Sequence, residues 1–320
     1  MDKISIGDTG LSVTSLGIGA SALGDMPETY GYSVGEESAR ETLHAIFDGP
    51  VNFLDTSNNY GFGRSEERIG AALRERGGMP EGFVISTKLD RDLDTGRFDA
   101  VRVRQSVEES LSRLGLDQIP LLHLHDPEHA RDLKEITQTG GAIDELFRLK
   151  EEGIAQAVGL AMGRVDMMLP ILREHPFDAL ISHNRFSLLN KSAQEMFDYA
   201  HSAGIAVFNA APYAGGVLAK GSEEMPRITY QLTDHAGLEP VRRIEEICGR
   251  HEIPPGAVAL QFSMREPKVS STIVGVSRLK HIQETFDWSG LEIPSRAWDE
   301  LMALPYSGED PEANRDYKPG

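Results

Sequence analysis

Short apolar runs recur along this chain at the length of one strand plus one helix. Between most neighbouring runs, apolar residues repeat with the period of a helix, about 3.6 residues, as at Ile69, Ala72 and Leu73. Eight strands that alternate with helices predict an α/β fold, the (β/α)8 TIM barrel, which typically needs about 250 residues. We place the ends of the eight strands at Gly19, Asp55, Lys88, His125, Ala161, His183, Ala210 and Gly275.

The segments outside this repeat predict further elements. Residues 3–16 alternate apolar and polar positions around Gly7-Asp8-Thr9-Gly10, which predicts a β-hairpin that caps the barrel bottom. We expect the barrel over 17–290 and a C-terminal segment and tail over 291–320, so that 1–320 forms a single domain. The Gly-rich stretch 214–236 predicts a long loop at the barrel mouth. For the acidic tail, 309–320, the sequence does not decide whether it extends freely or folds back onto the domain.

Composition and charge narrow the class of protein. The chain of 320 residues is 40% hydrophobic and 26% charged, which suits one large core. A net charge of -18 argues against a nucleic acid or an anionic membrane as partner. The N-terminal sequence lacks a signal-peptide pattern and no apolar run reaches roughly 18 residues, so we expect a cytoplasmic protein. The single cysteine, Cys248, has helical spacing from Ile244 and is predicted to be a buried core residue.

Four side chains at or just after predicted strand ends suggest chemistry. Asp55, Tyr60, Lys88 and His125, here called the strand-end cluster, provide an acid, a phenol, an amine and an imidazole. These groups suffice to pass a proton to or from a carbonyl oxygen. In a barrel enzyme the active site lies at the carboxyl ends of the strands. Singly, each residue could be a helix cap, a rim aromatic or a solvated strand end, but together they favour catalysis.

The sequence His123-Leu124-His125-Asp126 also resembles the strand of a metal-dependent hydrolase. His123 and His125 share one face of a strand, as metal ligands would. The other strand ends offer only Asp55, Lys88 and His183, which are too few carboxylates and histidines for a convincing two-metal cage. We therefore predict no metal site and expect His123 to fill a layer of the barrel interior.

Two longer motifs carry a family resemblance. The segment from Phe53-Leu54-Asp55-Thr56 through Tyr60-Gly61 to Ser65-Glu66-Glu67-Arg68-Ile69-Gly70, and the strand from Leu121 to Pro127, resemble the aldo-keto reductase superfamily. The resemblance extends over about residues 3 to 300 of this chain. The phrases at 61–66 and 124–127 look most like the sugar 1-dehydrogenase branch. That branch includes enzymes that act on L-fucose, D-threo-aldoses and L-galactose, and a relative that acts on pyridoxal.

The resemblance implies hydride transfer between a nicotinamide cofactor, NAD or NADP, and a small-molecule carbonyl or alcohol. Tyr60 would give or take the proton, and a protonated Lys88 beside it is expected to favour the phenolate. Asp55 would hold Lys88, and His125 would hydrogen-bond the substrate oxygen. With an aldose, the reaction would oxidise the anomeric hydroxyl to a lactone. With an aldehyde, the same groups would run in reverse, and a pyridoxal or general aldehyde oxidoreductase is the alternative.

A non-catalytic role remains the main alternative from another class. Some barrels of this family are nucleotide-binding regulatory subunits of channels, but the intact strand-end cluster favours an enzyme. The sequence makes no prediction about the oligomeric state. Aromatic side chains that could form a sugar-binding wall are Tyr30, Tyr32, Phe62, Phe186, Tyr213 and Trp288.

The cofactor site is predicted from the same resemblance. The chain lacks a Gly-x-Gly-x-x-Gly loop that opens a helix, so the resemblance implies a dinucleotide that lies extended across the strand ends. The start of the last barrel helix, with Ser277 and Arg278, suits a phosphate. The residues expected to contact the cofactor are Gly19, Ala20, His183, Asn209, Ala211, Pro212, Gly275, Ser277, Arg278, Gln283 and Glu284.

The chain departs from the commoner family pattern in four places, one of which is a pair of residues. Ala161-Met162 replaces a Ser-Asn pair that grips the nicotinamide amide, and His183 replaces a Gln. Ala210 stands where a Tyr usually stacks on the ring, and Thr285 where an Asn usually contacts the adenine. A frequent Lys is replaced by Val276, although Arg278 and Lys280 are close in sequence. The choice between NAD and NADP therefore stays open.

Overall fold

Eight parallel strands close into a barrel that is covered by helices. The computed structural model describes residues 1–315. Strands β3 to β9 neighbour one another in chain order, and β12 closes the barrel between β9 and β3, which confirms the predicted fold. The strands are β1 (Lys3–Ser5), β2 (Ser12–Thr14), β3 (Leu16–Gly19), β4 (Phe53–Asp55), β5 (Val84–Leu89), β6 (Ile119–His125), β7 (Ala155–Ala161), β8 (Ala179–His183), β9 (Ala206–Ala210), β10 (Arg227–Ile228), β11 (Gln231–Leu232) and β12 (Ser271–Gly275).

Helices follow most barrel strands and lay their apolar faces on the barrel. The apolar positions Ile69, Ala72 and Leu73 are buried on α3, as their spacing predicts. Three helices, one of them short, separate β9 from β12. The helices are α1 (Pro27–Tyr30), α2 (Glu36–Phe47), α3 (Arg64–Arg76), α4 (Ala100–Leu114), α5 (Lys134–Thr137), α6 (Ala142–Glu151), α7 (Val165–Glu174), α8 (Gln194–Ser202), α9 (Val217–Lys220), α10 (Glu239–Arg250), α11 (Pro255–Met264), α12 (Leu279–Ser289) and α13 (Ser295–Met302).

The predicted N-terminal hairpin is present and closes the barrel bottom. Strands β1 and β2 pair antiparallel, and the buried side chains of Ile6 and Val13 join the apolar cluster inside the barrel. Asn52, just before β4, fixes the hairpin: its Oδ1 accepts the Thr14 N–H at 2.7 Å and its Nδ2 donates to the Ser12 carbonyl at 2.8 Å. The hairpin is shorter than 3–16, because Leu16 already pairs within the barrel.

His123 fills a layer of the barrel interior, as predicted. Its ring is fully buried, and Nδ1 lies 3.1 Å from Ser86 Oγ. The neighbouring strand makes room for it with Gly159, where a Cβ would lie 2.4 Å from His123 Cδ2. Burial first, and then the charge of Lys88, hold the pKa of His123 well below its usual range, so the ring is neutral. Cys248, also as predicted, is a buried residue, on α10.

Two segments close over the carboxyl ends of the barrel strands. The stretch 214–236, expected as a loop, contains α9 and the β10–β11 hairpin and is thus more regular than its weak periodicity indicates. The acidic tail folds back onto the barrel over its described part, which ends at Arg315. One bond that holds it runs from Asn190 Nδ2 to the Glu309 carbonyl at 2.8 Å. The rest of the tail, 316–320, lies outside the described residues. Within residues 1–315, no helix combines the length and apolarity that crossing a membrane requires.

Candidate active site

The barrel brings three members of the strand-end cluster into direct contact. Lys88 Nζ donates to Asp55 Oδ2 at 2.7 Å and to the Tyr60 hydroxyl at 3.2 Å. A third bond, of 2.5 Å, runs from Nζ to the Thr56 carbonyl. Adjacent strands β4 and β5 supply the acid and the amine, and Lys88 is only 1% exposed. A buried ammonium group with three acceptors is fixed in place by these bonds.

Tyr60 reaches the cluster from the loop between β4 and α3. This loop passes against the backbone at Gly24, and a Cβ on Gly61 would lie 1.9 Å from the Gly24 oxygen. Gly61 also has a φ of 61°, which favours glycine. Burial first, and then the carboxylate of Asp55, raise the pKa of Tyr60 well above its usual value. In the free protein the pKa of Tyr60 is therefore shifted in the direction opposite to the expected preference for the phenolate.

His125 lies beside Tyr60, with the two ring centres 5.7 Å apart and the planes nearly perpendicular. Its Nδ1 is 2.7 Å from Asp90 Oδ1 and 3.0 Å from Ser57 Oγ. The same carboxylate accepts the Asn59 N–H at 3.0 Å and a hydrogen bond from Ser57. Burial acts to lower the pKa of His125, but the carboxylates of Asp90 and Asp126 outweigh it and raise the pKa.

A cavity of about 350 Å³ joins the strand-end cluster to the ends of β8, β9 and β12. All four cluster residues line it. Asn59, directly before Tyr60, and Asp126, directly after His125, line it as well. The predicted cofactor residues that line the cavity are Gly19, His183, Ala211, Pro212, Gly275, Ser277 and Glu284.

Four predicted cofactor residues are not brought into this lining. The Asn209 amide points outward and donates to the Phe186 carbonyl at 2.8 Å and to Ser263 Oγ at 2.7 Å. Gln283 bonds along α12 to Asp287, at 2.9 Å. Ala20 is fully buried, and its N–H donates to the Asp55 carbonyl at 2.8 Å. Arg278 is exposed at the start of α12. For Asn209, alternation along a strand decides the outcome, because the next inward side chain is Phe208.

The part of the cavity away from the cluster has the shape that an extended dinucleotide needs. Gly19 and Gly275 are partners in the β3–β12 register, so two strand ends meet there without side chains. A Cβ on Gly19 would press against Ile273 Cγ2 at 3.3 Å. Ala161, Met162 and Ala210, three of the departures from the family pattern, also line the cavity and leave its floor apolar. The residues present therefore fit the nicotinamide cofactor that the family resemblance implies.

His183, on the same side of the cavity, is tied to the C-terminal tail. Its Nε2 is 2.8 Å from Glu312 Oε2, and Arg185 Nη1 donates to the same oxygen at 2.7 Å. Arg185 Nη2 also donates to Asp310 Oδ1 at 2.6 Å. We call His183, Arg185, Asp310 and Glu312 the tail clamp. Burial alone would raise the pKa of Glu312, but His183 and Arg185 hold it well below its usual range.

Aromatic side chains form the outer wall of the cavity. Four of the six aromatic candidates, Tyr30, Tyr32, Tyr213 and Trp288, line it. Phe62 is 65% exposed and Phe186 packs on Phe197 and Phe262 in the helical layer. Tyr230 completes the wall, with its ring centre 6.2 Å from that of Tyr30, and Arg315 lies 4.6 Å above the Tyr230 ring.

Sequence reasoning missed several residues of the site. Ser57 and Asp90 each follow a cluster residue by two positions, so a search of strand-end neighbours could have found them. Arg185 and Glu312 are 127 positions apart, and no local pattern links them. Among the residues that the structure describes, no three His, Cys, Asp or Glu side chains are grouped as metal ligands.

The closed parallel barrel and the hydrogen-bonded cluster at its mouth define a barrel oxidoreductase. Residues 15–304 match the model of the Aldo/keto reductase family, and this protein belongs to that family. It is 31% identical to a D-threo-aldose 1-dehydrogenase of a Pseudomonas species, over 91% of this chain and 94% of that enzyme. It is 29% identical to a pyridoxal 4-dehydrogenase of Microbacterium luteolum, over 94% and 97% of the two chains.

The fold is also found in a solved structure. An aldo-keto reductase from Bacillus halodurans, in its holo form, superimposes with a TM-score of 0.76 at 20% identity. The match covers 99% of this chain and 100% of that one. These comparisons agree with the resemblance to sugar and pyridoxal dehydrogenases that the sequence motifs indicate.

Proposed function

We propose that this protein is an NAD(P)-dependent dehydrogenase that oxidises the anomeric hydroxyl of an aldose to a lactone. The observation that carries the proposal is the set of hydrogen bonds from Lys88 to Asp55 and Tyr60, with His125 beside Tyr60 in one cavity. The similarity to a D-threo-aldose 1-dehydrogenase supports an aldose as the substrate.

Proton transfer is assigned to Tyr60, because its hydroxyl can both donate and accept a hydrogen bond at one oxygen atom. During oxidation the substrate O–H proton moves to the Tyr60 oxygen. The carbon that bears this hydroxyl gives up its hydride, which a bound nicotinamide would accept. Lys88 stabilises the phenolate by donating to that oxygen, and Asp55 keeps the ammonium group in position. His125 donates a hydrogen bond to the substrate oxygen and so fixes it next to Tyr60.

The two reaction directions place different demands on Tyr60. Because its pKa is raised, Tyr60 carries its proton at neutral pH and is ready to donate it to a carbonyl oxygen. Oxidation requires the phenolate, which is scarce at neutral pH. We therefore expect oxidation to be favoured by alkaline conditions, while reduction of an aldehyde proceeds at neutral pH.

The nicotinamide ring supplies the carbon that accepts or gives the hydride. On this chain, Gly19, Ala210 and Gly275 leave room for the cofactor along the strand ends. Ser277, at the start of the segment that leads into α12, lies where its hydroxyl and nearby N–H groups suit a phosphate. His183, held by Glu312, stands at the position where the family usually has a Gln and is our candidate contact to the carboxamide.

Sugar hydroxyls need hydrogen-bonding partners as well as an aromatic face. Asn59 and Asp126 line the cavity next to the cluster, and Tyr30, Tyr32 and Tyr230 supply the face. Asp126 is held in the left-handed region, with φ at 42°, beside His125. These groups support a polyhydroxylated substrate with its C1 at Tyr60.

A second candidate substrate is pyridoxal, which the aromatic wall favours because a flat ring stacks on tyrosine. The test is a turnover panel of D- and L-aldoses, pyridoxal and simple aldehydes, each with NAD and NADP separately. The proposal expects reduction of one cofactor by an aldose, with lactone as product. Turnover of pyridoxal alone would replace the aldose by the second candidate, and no turnover in either direction would favour a regulatory, nucleotide-binding role.

A further inference from the structure

A buried carboxylate is bound to the ring nitrogen of His125 that faces away from the cavity. Asp90 lies two residues after Lys88, just beyond β5, and is 1% exposed. Its Oδ1 is 2.7 Å from His125 Nδ1, and its Oδ2 accepts from Ser57 and from the Asn59 N–H. The Asp90 N–H in turn donates to Ser106 Oγ on α4, at 3.0 Å. The carboxylate is thus oriented from three sides before any substrate binds.

The second ring nitrogen of His125, Nε2, is available to a molecule bound in the cavity. Nε2 lies 3.7 Å from Asp126 Oδ2, which is beyond hydrogen-bond distance. The titratable and charged groups around the ring are Lys88 and Asp90 at the end of β5, Tyr60 after β4, Asp126 and His129 after β6, and His123 on β6. The end of β7 adds only Ala161 and Met162. Of these groups, Asp90 is the one in direct contact with a nitrogen of the ring.

We propose that Asp90 is a positioning residue that keeps His125 a cation, with its Nε2–H directed at the substrate oxygen. This inference rests on the proposed function, since it assigns a charge to the hydrogen bond that His125 makes there. The raised pKa of His125 agrees with it. A charge-assisted hydrogen bond is roughly twice as strong as a neutral one, and it strengthens further as negative charge develops on the substrate oxygen.

The proton of His125 is not consumed in the reaction. Tyr60 exchanges the proton with the substrate oxygen, the hydride moves between the substrate carbon and the nicotinamide, and His125 keeps both of its N–H protons throughout. Asp90 also stays ionised. The role of the Asp90–His125 pair is electrostatic, in that it lowers the free energy of an alkoxide-like oxygen relative to the bound alcohol or carbonyl.

The charge can be measured without any substrate. We would titrate the His125 ring by NMR in the wild-type protein, using His125→Gln to assign the signal. The expected result is a titration midpoint above that of an ordinary histidine, near pH 6.5. A midpoint at or below that value would overturn the proposal, whatever the enzyme turns over.

The variant Asp90→Asn separates charge from shape. Its side chain is nearly the same size, and its NH2 group can donate to Nδ1, which leaves a neutral His125 with Nε2–H still facing the cavity. The matched control is Asp92→Asn, two residues along the same loop, whose carboxylate accepts from Thr95 instead. We expect the His125 midpoint to move to lower pH in Asp90→Asn and to stay unchanged in Asp92→Asn.

Kinetics of the same variants test the consequence. For Asp90→Asn we expect kcat to fall roughly tenfold with cofactor affinity unchanged, and the alkaline limb of the pH–rate profile, where a required cation loses its proton, to move to lower pH with the NMR midpoint. An unmoved NMR midpoint, or a moved midpoint with an unchanged kcat, would overturn the proposal. A wild-type protein that lacks turnover with every substrate would instead count against the proposed function, because the NMR titration does not depend on it.

Discussion

The two sides of the barrel mouth are built on different principles. On the side of β4 to β6, polar groups are buried and mutually bonded, as in Lys88 with Asp55 and His125 with Asp90. On the side of β7 to β9, the strand ends carry Ala161, Met162 and Ala210, and the chief polar group, His183, is held by the tail. The first side fixes charges for chemistry, and the second provides space.

This difference shows how an active site can lose side-chain contacts without losing its reaction. Proton transfer depends on sub-ångström placement of a few groups, so its residues cannot be exchanged freely. Binding a long dinucleotide draws on many weak contacts with backbone and surface, so individual contacts can be replaced. On this side the tail clamp holds the half-buried His183, which lines the cavity, against the buried carboxylate of Glu312.

The largest effect is expected from Tyr60→Phe. This variant tests whether the β4 to β6 side of the barrel mouth carries out proton transfer. Loss of the hydroxyl removes the proton donor and acceptor, so we expect turnover to fall by about 10³-fold or more while cofactor still binds. Initial rates and a fluorescence titration with NAD and NADP would measure both. Tyr199→Phe, on the outer face of α8, is the control with normal turnover. A Tyr60→Phe enzyme that kept a tenth of the wild-type rate would refute the assignment.

A large loss of stability is expected from Arg185→Met, which breaks the second side at the tail clamp. Arg185 is 2% exposed and bonds Asp310, Glu312 and the His183 carbonyl. Its removal leaves the buried Glu312 carboxylate short of a partner, which costs about 3 kcal/mol. Urea unfolding would measure the loss. The surface pair of Arg164 and Asp166 is the comparison: Arg164→Met is expected to cost less than about 1 kcal/mol, and equal losses would show that the clamp is no more than a surface ion pair.

The pH dependence of the two reaction directions sharpens the account of the first side. Because the pKa of Tyr60 is raised well above 10, its phenolate fraction grows about tenfold per pH unit up to that pKa. Oxidation is therefore expected to accelerate with rising pH, whereas aldehyde reduction holds its rate at neutral pH and declines only in alkali. Steady-state rates between neutral pH and the onset of unfolding would measure both. An oxidation optimum at or below neutral pH would contradict the raised pKa.

The smallest effect is expected from Glu312→Gln, which weakens the grip on His183 while preserving its shape. An uncharged amide makes a weaker bond to the imidazole, so we expect the cofactor Kd to rise about fivefold with kcat nearly unchanged. Glu309→Gln, in the same tail, is the matched control because Glu309 is bonded through its backbone carbonyl. If Glu312→Gln had the same cofactor Kd as the Glu309→Gln control, the tail would have no role in cofactor binding.

The same carboxyl makes the tail clamp sensitive to acid. The ordinary pKa of a glutamate is 4.5, and that of Glu312 is lowered in the folded protein. A group with a lowered folded pKa stabilises the fold fully above its unfolded pKa, and this contribution is lost as the pH falls toward the folded pKa. The clamp therefore contributes its full stability at neutral pH, and this contribution begins to decline below about pH 4.5 and falls further toward the lowered pKa of Glu312.

The sequence determined the barrel and the first side of its mouth. Strand ends are marked by a change from apolar to polar residues, so seven of the eight predicted ends agree with the structure, and β5 runs one residue further, to Leu89. Parallel strands in a closed barrel must end at the same rim, so Asp55, Lys88 and His125 could be placed together from their positions alone. Alternation along β9 was the information needed to exclude the Asn209 side chain.

Only the tertiary structure decided the protonation of Tyr60 and the partners of His125 and His183. A pKa depends on burial and on charges from other elements, and for Tyr60 burial is the first cause of a raised pKa although Lys88 Nζ lies 3.2 Å from its hydroxyl. The tail clamp joins residues more than a hundred positions apart, and no periodic pattern encodes such a contact. Local patterns specify which strand a residue ends, whereas the charge it carries is set by neighbours that only the folded chain brings to it.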